Sequence, residues 1–239
     1  MISQSLDFPE PQPVVYDCEK CQDKTYIIVD NRTSYPCECE EAQEIKRKWK
    51  TSGMKEVFEE KSLDNFRLEG RPRILREAKT LAMNYTFGFS RTEKRSNHSI
   101  AFLGTVGSGK THLAMGIAGA LLDKNVGVHY FSYREAITDL KQNIMNSIQY
   151  KKAIGKYMNV TVLLFDDLFK GKITESDINI VFEIINHRYL HRKPIIVSSE
   201  YNMEQLLDLD EAIGSRILEM CKGRIIEFED QNLNYRLHQ

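Results

Sequence analysis

The sequence predicts an α/β protein in which a parallel sheet is flanked by helices and preceded by a small cysteine-rich module. Apolar, β-branched segments of strand length alternate along most of the chain with longer segments whose apolar residues recur at helical spacing. A glycine-rich segment, Gly104 to Thr111, lies between one such strand and one such helix. Four of the five cysteines form two close pairs near the N-terminus. These features predict one sheet-containing domain and one smaller module.

Length and charge limit the possible classes of protein. The 239 residues suffice for one α/β domain and a small additional module. The 33 Lys and Arg residues nearly balance the 34 Asp and Glu residues, which argues against coating of nucleic acid by bulk charge but allows a local basic patch. Met1 to Pro13 lacks the basic start and apolar core of a signal peptide, and no apolar run approaches the ~20 residues that span a bilayer. We therefore expect a cytoplasmic protein without a membrane partner.

The cysteine pairs have the spacing of metal ligands. Cys18 and Cys21 enclose two residues, Cys37 and Cys39 enclose one, and fifteen residues separate the pairs. Four thiolates in this pattern are typical of structural zinc, and the strand and turn predicted over 25–32 would place one pair at each end of a hairpin. A disulfide or unrelated thiols remain alternatives. We expect the metal to supply folding energy rather than chemistry, since no further acid or ligand lies nearby.

The predicted domains follow from this pattern. The zinc module spans residues 1–45, which include a flexible leader at 1–13, and 46–62 form a linker that is highly charged and mostly helical, interrupted at 52–53. Residues 63–239 form the nucleotide-binding domain described next.

The glycine-rich segment matches the phosphate-binding loop pattern and has the required context. Residues 99–103 read as a buried strand and 112–122 as an apolar helix. Glycines leave backbone N–H groups free to surround phosphate oxygens at a helix N-terminus. We expect Lys110 to reach the β- and γ-phosphates of ATP and the Thr111 hydroxyl to be a ligand of Mg²⁺. The predicted nucleotide-binding residues are Gly104, Thr105, Val106, Gly107, Ser108, Gly109, Lys110, Thr111 and His112.

A second strand ends in two carboxylates. Residues 160–165 are β-branched and large apolar residues, typical of a strand buried on both faces of a parallel sheet, and Asp166 and Asp167 follow directly. Ligands of open α/β sheets bind at this edge, so we expect Asp166 to hold Mg²⁺ and Asp167 to orient or polarise the attacking water. A solvated Asp pair that opens a turn is the structural alternative.

The remaining elements complete the alternation of strands and helices. The sequence predicts strands over 127–131, 194–198 and 224–228, and helices over 73–83, 133–148 and 177–189. It predicts that 151–157 is a basic, exposed segment.

Taken together, these motifs resemble one known group, the DnaC/DnaI-type AAA+ loaders of replicative helicases, in particular the zinc-bearing versions of Gram-positive bacteria and their phages. The resemblance covers nearly the whole chain. It rests on the cysteine pairs, on segments 52–54 and 61–66, on the phosphate loop with the following His-Leu-Ala, on Leu164 to Asp167, on Gly214 to Ile217 and on Asn234 to Arg236.

The resemblance implies that the zinc module docks on the hexameric helicase while the ATPase domain self-associates in the ATP state and engages single-stranded DNA. ATP would act as a switch. Arg216 matches the arginine finger of the family, which contacts the γ-phosphate of a neighbouring protomer and would make it catalytic together with Lys110, Asp166 and Asp167. Arg224 and Arg236 are second choices.

One position departs from the family pattern. The family usually has Ser-Asn after the strand at 194–198, where the Asn senses the γ-phosphate, whereas this chain reads Ser198-Ser199-Glu200. An ionised Glu200 would repel the phosphate. Either Ser199 takes over as a catalytic residue or hydrolysis is slow.

Candidate DNA contacts are basic and aromatic residues around the strand that ends in Asp166. A solvated charged face is the alternative for the same residues. They are Lys141, Lys151, Lys152, Lys156, Lys170 and Lys172, with Tyr150 and Tyr157 as stacking groups.

Three other functions are compatible with the sequence. An IstB-like transposase-helper ATPase shares the domain but generally lacks the zinc module. A small-molecule kinase also needs a phosphate loop, but the sequence shows no arginine-rich lid. A nucleotide-dependent adaptor would bind ATP without needing to hydrolyse it.

Overall fold

A five-stranded parallel sheet forms the centre of the computed structural model, which describes residues 15–30, 32–51, 54–90, 98–229, 233 and 235. Its strands are β3 (Ile100–Gly104), β4 (Val128–Ser132), β5 (Val162–Asp166), β6 (Ile195–Ser199) and β7 (Ile225–Phe228), after a hairpin of β1 (Tyr26–Ile28) and β2 (Ser34–Pro36). The sheet order is β4-β5-β6-β3-β7, and every neighbouring pair is parallel. The predicted fold class is confirmed.

Helices cover both faces of this sheet. They are α1 (Glu40–Thr51), α2 (Met54–Glu60), α3 (Arg73–Phe87), α4 (Lys110–Asp123), α5 (Tyr133–Asn143), α6 (Ser147–Asn159), α7 (Glu175–Leu190), α8 (Met203–Leu209) and α9 (Glu211–Met220). All residues of β3, β5 and β6 are buried, as expected for central strands covered on both sides. Their carboxyl ends therefore meet at one edge, where the predicted site residues lie.

One predicted helix is two helices. The segment at 133–148 divides into α5 and α6, because Asn146 caps a new helix by accepting a hydrogen bond from the Gln149 amide at 3.1 Å. The prediction that 151–157 is a basic, exposed segment holds for Lys151, Lys152 and Lys156 and is wrong for Ile154 and Tyr157. These residues belong to α6, and Ile154 and Tyr157 are buried against the sheet.

The helices that follow the cysteine module pack on the sheet domain. Ala42 and Ile45 of α1 and Phe58 of α2 are buried in the same hydrophobic core as the central strands. Glu41 accepts hydrogen bonds from the amide and hydroxyl of Thr161, which precedes β5. Segment 46–62 is therefore largely helical, as predicted, and it adds to the core of the sheet domain. The domain boundaries stay a prediction, and the leader at 1–13 lies outside the described residues.

A buried arginine holds the amino ends of β5 and β6, the two strands whose other ends carry Asp166 and Glu200. Arg188 of α7 is fully buried, and its guanidinium donates to five backbone carbonyls. The acceptors belong to Tyr157, Met158, Val160, Thr161 and Pro194. They lie at the end of α6 and at the starts of β5 and β6. This contact fixes both strands relative to α7.

Candidate functional site

A cleft of about 1050 Å³ opens at the carboxyl edge of the sheet. Its walls come from the loop after β3, from the turn after β5, from the residue after β6 and from the segment that precedes α3. The lining residues include Val106, Gly107, Ser108, Gly109, Lys110, Thr111, His112, Asp166 and Asp167. The structure thus brings most of the predicted nucleotide-binding residues into one cavity.

The backbone of the loop needs glycine at two positions. Gly104 has φ +97°, and a Cβ there would lie 2.2 Å from the carbonyl oxygen of Phe228. Gly109 has φ +98°, and a Cβ there would lie 2.7 Å from the ring of Phe66. Both conformations are closed to most side chains. The result is a loop whose amides line the cleft at the N-terminus of α4, a suitable place for phosphate oxygens.

Lys110 lies at the base of this cleft. Its ammonium is largely buried and donates to the carbonyl oxygens of Gly104 at 2.8 Å and Thr105 at 2.6 Å. Burial lowers the pKa of Lys110 to about 8, although Glu200 and the two aspartates oppose the change. The hydrogen bonds of this ammonium go to neutral carbonyl oxygens, so an anion in the cleft would add a direct charged partner, as expected for a triphosphate-binding lysine.

Asp166 is held by two hydroxyl groups that the sequence analysis did not identify. Its carboxylate accepts from Tyr130 Oη at 2.9 Å and from Ser198 Oγ at 2.5 Å. Asp166 and Thr111 line the same cleft, and their oxygen atoms are the ligands that Mg²⁺ prefers. Both residues therefore fit a magnesium site. Tyr130 and Ser198 lie on β4 and β6, so only the strand pairing could reveal their role.

The residue after Asp166 is part of a three-residue ion-pair cluster. Lys170 Nζ lies 2.8 Å from Asp167 Oδ2 and 3.0 Å from Glu200 Oε1. The expected repulsion between Glu200 and a phosphate is therefore offset by a cation from the turn after β5. Lys170 lines the cleft together with both acids, which places it in the nucleotide site rather than among separate DNA contacts.

Ser199 is placed differently from the expectation. Its hydroxyl is fully buried, donates to the carbonyl oxygen of Leu168 at 2.7 Å and accepts from the amide of Tyr201 at 3.2 Å. The cleft is lined at this strand end by Glu200 and not by Ser199. In this arrangement Ser199 supports the turn after β5.

The other end of the cleft carries aromatic and basic side chains. Phe66 contacts the ring of His112 edge-on, and the guanidinium of Arg71 lies 4.9 Å from the ring centre of Tyr235. The Tyr235 amide donates to the carbonyl oxygen of Gly107 at 3.0 Å, which fixes this residue beside the loop. The rings of Phe66, His112 and Tyr235 offer aromatic surfaces suited to a nucleobase. Arg71 is not among the residues that the sequence analysis identified.

Arg216 lies on α9, apart from the residues that line the cleft of its own chain. Its guanidinium donates to the carbonyl oxygen of Ala212 at 2.7 Å and lies 5.3 Å and 5.5 Å from the rings of Phe182 and Tyr189. A contact with nucleotide would have to be made on a neighbouring protomer. Its finger role stays a prediction. Of the second choices, Arg224 precedes β7 and Arg236 lies outside the described residues.

The four cysteines of the N-terminal module form one buried cluster. Their Sγ atoms all lie within 4.8 Å of one another, with Cys18 and Cys37 at 3.9 Å and Cys21 and Cys39 at 3.4 Å. A disulfide needs about 2.05 Å between sulfurs. Tetrahedral zinc, with Zn–S bonds of about 2.3 Å, separates its ligand sulfurs by about 3.8 Å. The cluster fits zinc and excludes the disulfide pairings at these distances.

The candidate DNA contacts separate into two groups. Lys151 and Lys152 are exposed on α6. Lys141 forms an ion pair with Asp177, and Tyr150 donates to Glu183 at 2.7 Å. The expectation that Tyr157 stacks on a base is wrong, because this side chain is buried between α6 and the sheet.

Comparisons with known proteins agree with this site. The family model described as IstB-like ATP binding protein matches residues 43–239. Two proteins of Bacillus subtilis (strain 168) are similar to the chain. YqaM is 38% identical over 212 residues, 85% of this chain and 67% of its own length, and the phage-like element PBSX protein XkdC is 34% identical over 233 residues, 93% and 86%. The crystal structure of the DnaC helicase loader shares the fold, with a TM-score of 0.62, 22% identity, and coverage of 72% of this chain and 99% of that one. Among the described residues, the helices are all too short or too polar to cross a membrane.

Proposed function

We propose that this chain, which belongs to the IstB-like ATP binding protein family and is an AAA+ ATPase, is an ATP-switched loader of a replicative hexameric helicase. The observation that carries the proposal is the position of the four-cysteine cluster, which leads directly into α1. A partner-binding module would thus be joined without a spacer to the helices that pack on the ATPase core. Single-stranded DNA is the proposed second partner.

The surface of the cysteine module supports a role in binding protein. Tyr26, Ile28, Val29 and Tyr35 of the hairpin are each between 45% and 62% exposed, although they are apolar or aromatic. Such a group of exposed side chains on a small module favours contact with another protein. The zinc ion would fold this module, and the hairpin would contact the helicase.

A row of aromatic contacts connects α1, the helix that follows this module, with the nucleotide cleft. Trp49 of α1 stacks on Phe58 of α2 at 3.7 Å between ring centres, and Phe58 contacts the ring of Tyr130 edge-on at 6.0 Å. The hydroxyl of Tyr130 donates to Asp166. The proposal therefore expects nucleotide and helicase to influence each other's binding, in line with a switch.

Co-purification with the hexameric helicase tests the proposal. We expect the parent chain to retain the helicase, and the Cys37→Ser, Cys39→Ser double variant to lose it, because two of four metal ligands are gone. Cys221→Ser is the matched control, since Cys221 is also buried but lies in the ATPase domain. Retention of the helicase by the metal-free double variant would show that the module has another role.

A transposase-helper ATPase is the second candidate. It is favoured by the family description, and the family match begins at residue 43, after the cysteine cluster. That function accounts for the ATPase domain and leaves the cluster without a role. A pull-down with a hexameric helicase and with a transposase, run in parallel, distinguishes the two partners.

A nucleotide-dependent adaptor is distinguished by turnover. Hydrolysis of ATP should be measured with single-stranded DNA for the parent and for Lys110→Ala. A loader that uses ATP as a switch predicts that the variant loses activity, because Lys110 is the cation at the base of the cleft. Equal rates would favour the adaptor.

A further inference from the structure

The most unusual feature of the nucleotide cleft is the cation at the carboxyl edge of β5 and β6. Lys170 bridges the carboxylates of Asp167 and Glu200, at 2.8 Å and 3.0 Å. These acids follow two adjacent parallel strands. We propose that Lys170, held by Glu200, is the residue of this chain that binds the γ-phosphate and thereby distinguishes ATP from ADP.

The position of the pair supports this inference. Strand β6 lies between β3, which leads into the phosphate loop, and β5, which ends in Asp166. The amide of Gly104 donates to the carbonyl oxygen of Tyr201, so the residue before Tyr201 is next to the start of the loop. By strand order, Glu200 therefore lies between the loop that carries Lys110 and the two aspartates, and Lys170 bridges Glu200 to Asp167. The γ-phosphate of a bound ATP would contact Lys110, Lys170 and Mg²⁺ in this part of the cleft, close to the two aspartates.

The turn that carries Lys170 is held firmly in place. Leu168 and Phe169 are fully buried. The Leu168 amide donates to the Ser198 carbonyl at 2.9 Å, and its own carbonyl accepts from Ser199 Oγ at 2.7 Å. The Asp167 amide donates to Ser198 Oγ at 2.9 Å. Ser198 and Ser199 therefore have a structural role, because they fix the backbone of the turn that carries Lys170. A fixed cation is a better anion ligand than one on a flexible loop.

Charge balance explains why Glu200 is tolerated beside a phosphate site. An isolated carboxylate at this position would repel a triphosphate. Paired with Glu200, Lys170 presents an ammonium with a further donor to the cleft and neutralises the acid. Without γ-phosphate the same ammonium engages Asp167. When a γ-phosphate binds, it would compete with Asp167 for Lys170, and Asp167 would become free to orient a water molecule.

Nucleotide affinities test the inference. The dissociation constants of ATPγS and ADP should be measured with Mg²⁺ for the parent, Lys170→Gln, Lys170→Arg and Lys172→Gln. The loss of one charge-assisted contact predicts that Lys170→Gln reduces the preference for ATPγS over ADP by about tenfold or more. The affinity for ADP, which has no γ-phosphate, should change by less than about twofold. Lys170→Arg should keep most of the preference, and Lys172→Gln, at an exposed position two residues on, should keep all of it.

The double variant Lys170→Gln, Glu200→Gln shows whether the two residues act as a pair. Removing the acid that Lys170→Gln leaves unpaired should restore part of the lost ATPγS affinity, about threefold or more. An unchanged preference in Lys170→Gln would reduce the ion pair to a surface contact, and equal losses for ATPγS and ADP would indicate general damage to the cleft. A higher preference would mean that Lys170 only obstructs the site. Any of these three results overturns the inference.

The inference depends on the ATP site and not on the identity of the protein partner. If the chain does not co-purify with a helicase, but its preference for ATPγS over ADP depends on Lys170 as expected, only the proposed loader function is overturned. An altered preference that left helicase binding unchanged in the ADP state would support the γ-phosphate role alone.

Discussion

Replacing Arg188 by methionine tests how the amino ends of β5 and β6, the ends opposite the cleft, are held in place. The change removes a guanidinium that donates to five buried carbonyls and leaves an apolar side chain of similar length. A hydrogen bond from a charged donor contributes about 1.5–3 kcal/mol, and the contributions do not add fully because the carbonyls can relax toward one another or toward water. We expect the free energy of unfolding to fall by about 3–5 kcal/mol, because five carbonyls lose their donor at about 1–3 kcal/mol each, while the cost of burying the guanidinium is removed.

Urea unfolding followed by circular dichroism measures this change. Arg188→Lys should lose about half as much, because an ammonium has three donors where the guanidinium has five. Arg76→Met, at an exposed position of α3, is the matched control and should change stability by less than about 0.5 kcal/mol. A loss below about 1 kcal/mol in Arg188→Met, with an unchanged dependence of the unfolding free energy on urea concentration, would show that this residue does not fix β5 and β6.

Three further predictions concern pH, the loop and the magnesium site. Burial lowers the pKa of His129 to about 4, from about 6.5 in the unfolded chain. The contribution of His129 to the free energy of unfolding, at most about 3 kcal/mol, is complete above pH 6.5 and is lost as the pH falls toward 4. His129→Gln should therefore flatten the stability curve in acid, and parallel curves would contradict this. Gly104→Ala places a Cβ 2.2 Å from the Phe228 carbonyl at φ +97° and should lower the unfolding temperature together with ATP affinity; a fully stable variant that binds ATP normally would be the opposite result. Tyr130→Phe removes a hydrogen bond to Asp166 and should raise the Mg²⁺ concentration needed for ATP binding by about tenfold, with Mg²⁺-free ADP binding as the control; an unchanged Mg²⁺ titration would contradict it.

The parts of the site that the sequence predicted are those encoded in short segments. The phosphate loop joins β3 to α4 within a few residues, and Asp166 ends a strand of five buried residues. A local sequence pattern is sufficient to predict these parts of the nucleotide site, because each is formed by one continuous segment of backbone. The zinc cluster was predictable for the same reason, since two close pairs of cysteines supply all four ligands.

The parts that were missed depend on contacts between distant segments. Lys170 reads as one of several lysines, and only the pairing of β5 with β6 brings it to Glu200. Tyr130 reaches Asp166 because β4 pairs with β5. Ser199 has the residue type of a phosphate contact, but strand β6 buries its side chain. In each case, tertiary structure decides which polar group faces the cleft.

Calorimetric titration of the folded chain with ATP in the presence of Mg²⁺ measures whether the cleft binds nucleotide. We expect one nucleotide bound per chain and a large loss of affinity in Lys110→Ala, since the cleft supplies loop amides and this buried ammonium to the phosphates. Absence of binding by well-folded protein, or equal affinity in the parent and in Lys110→Ala, would contradict it.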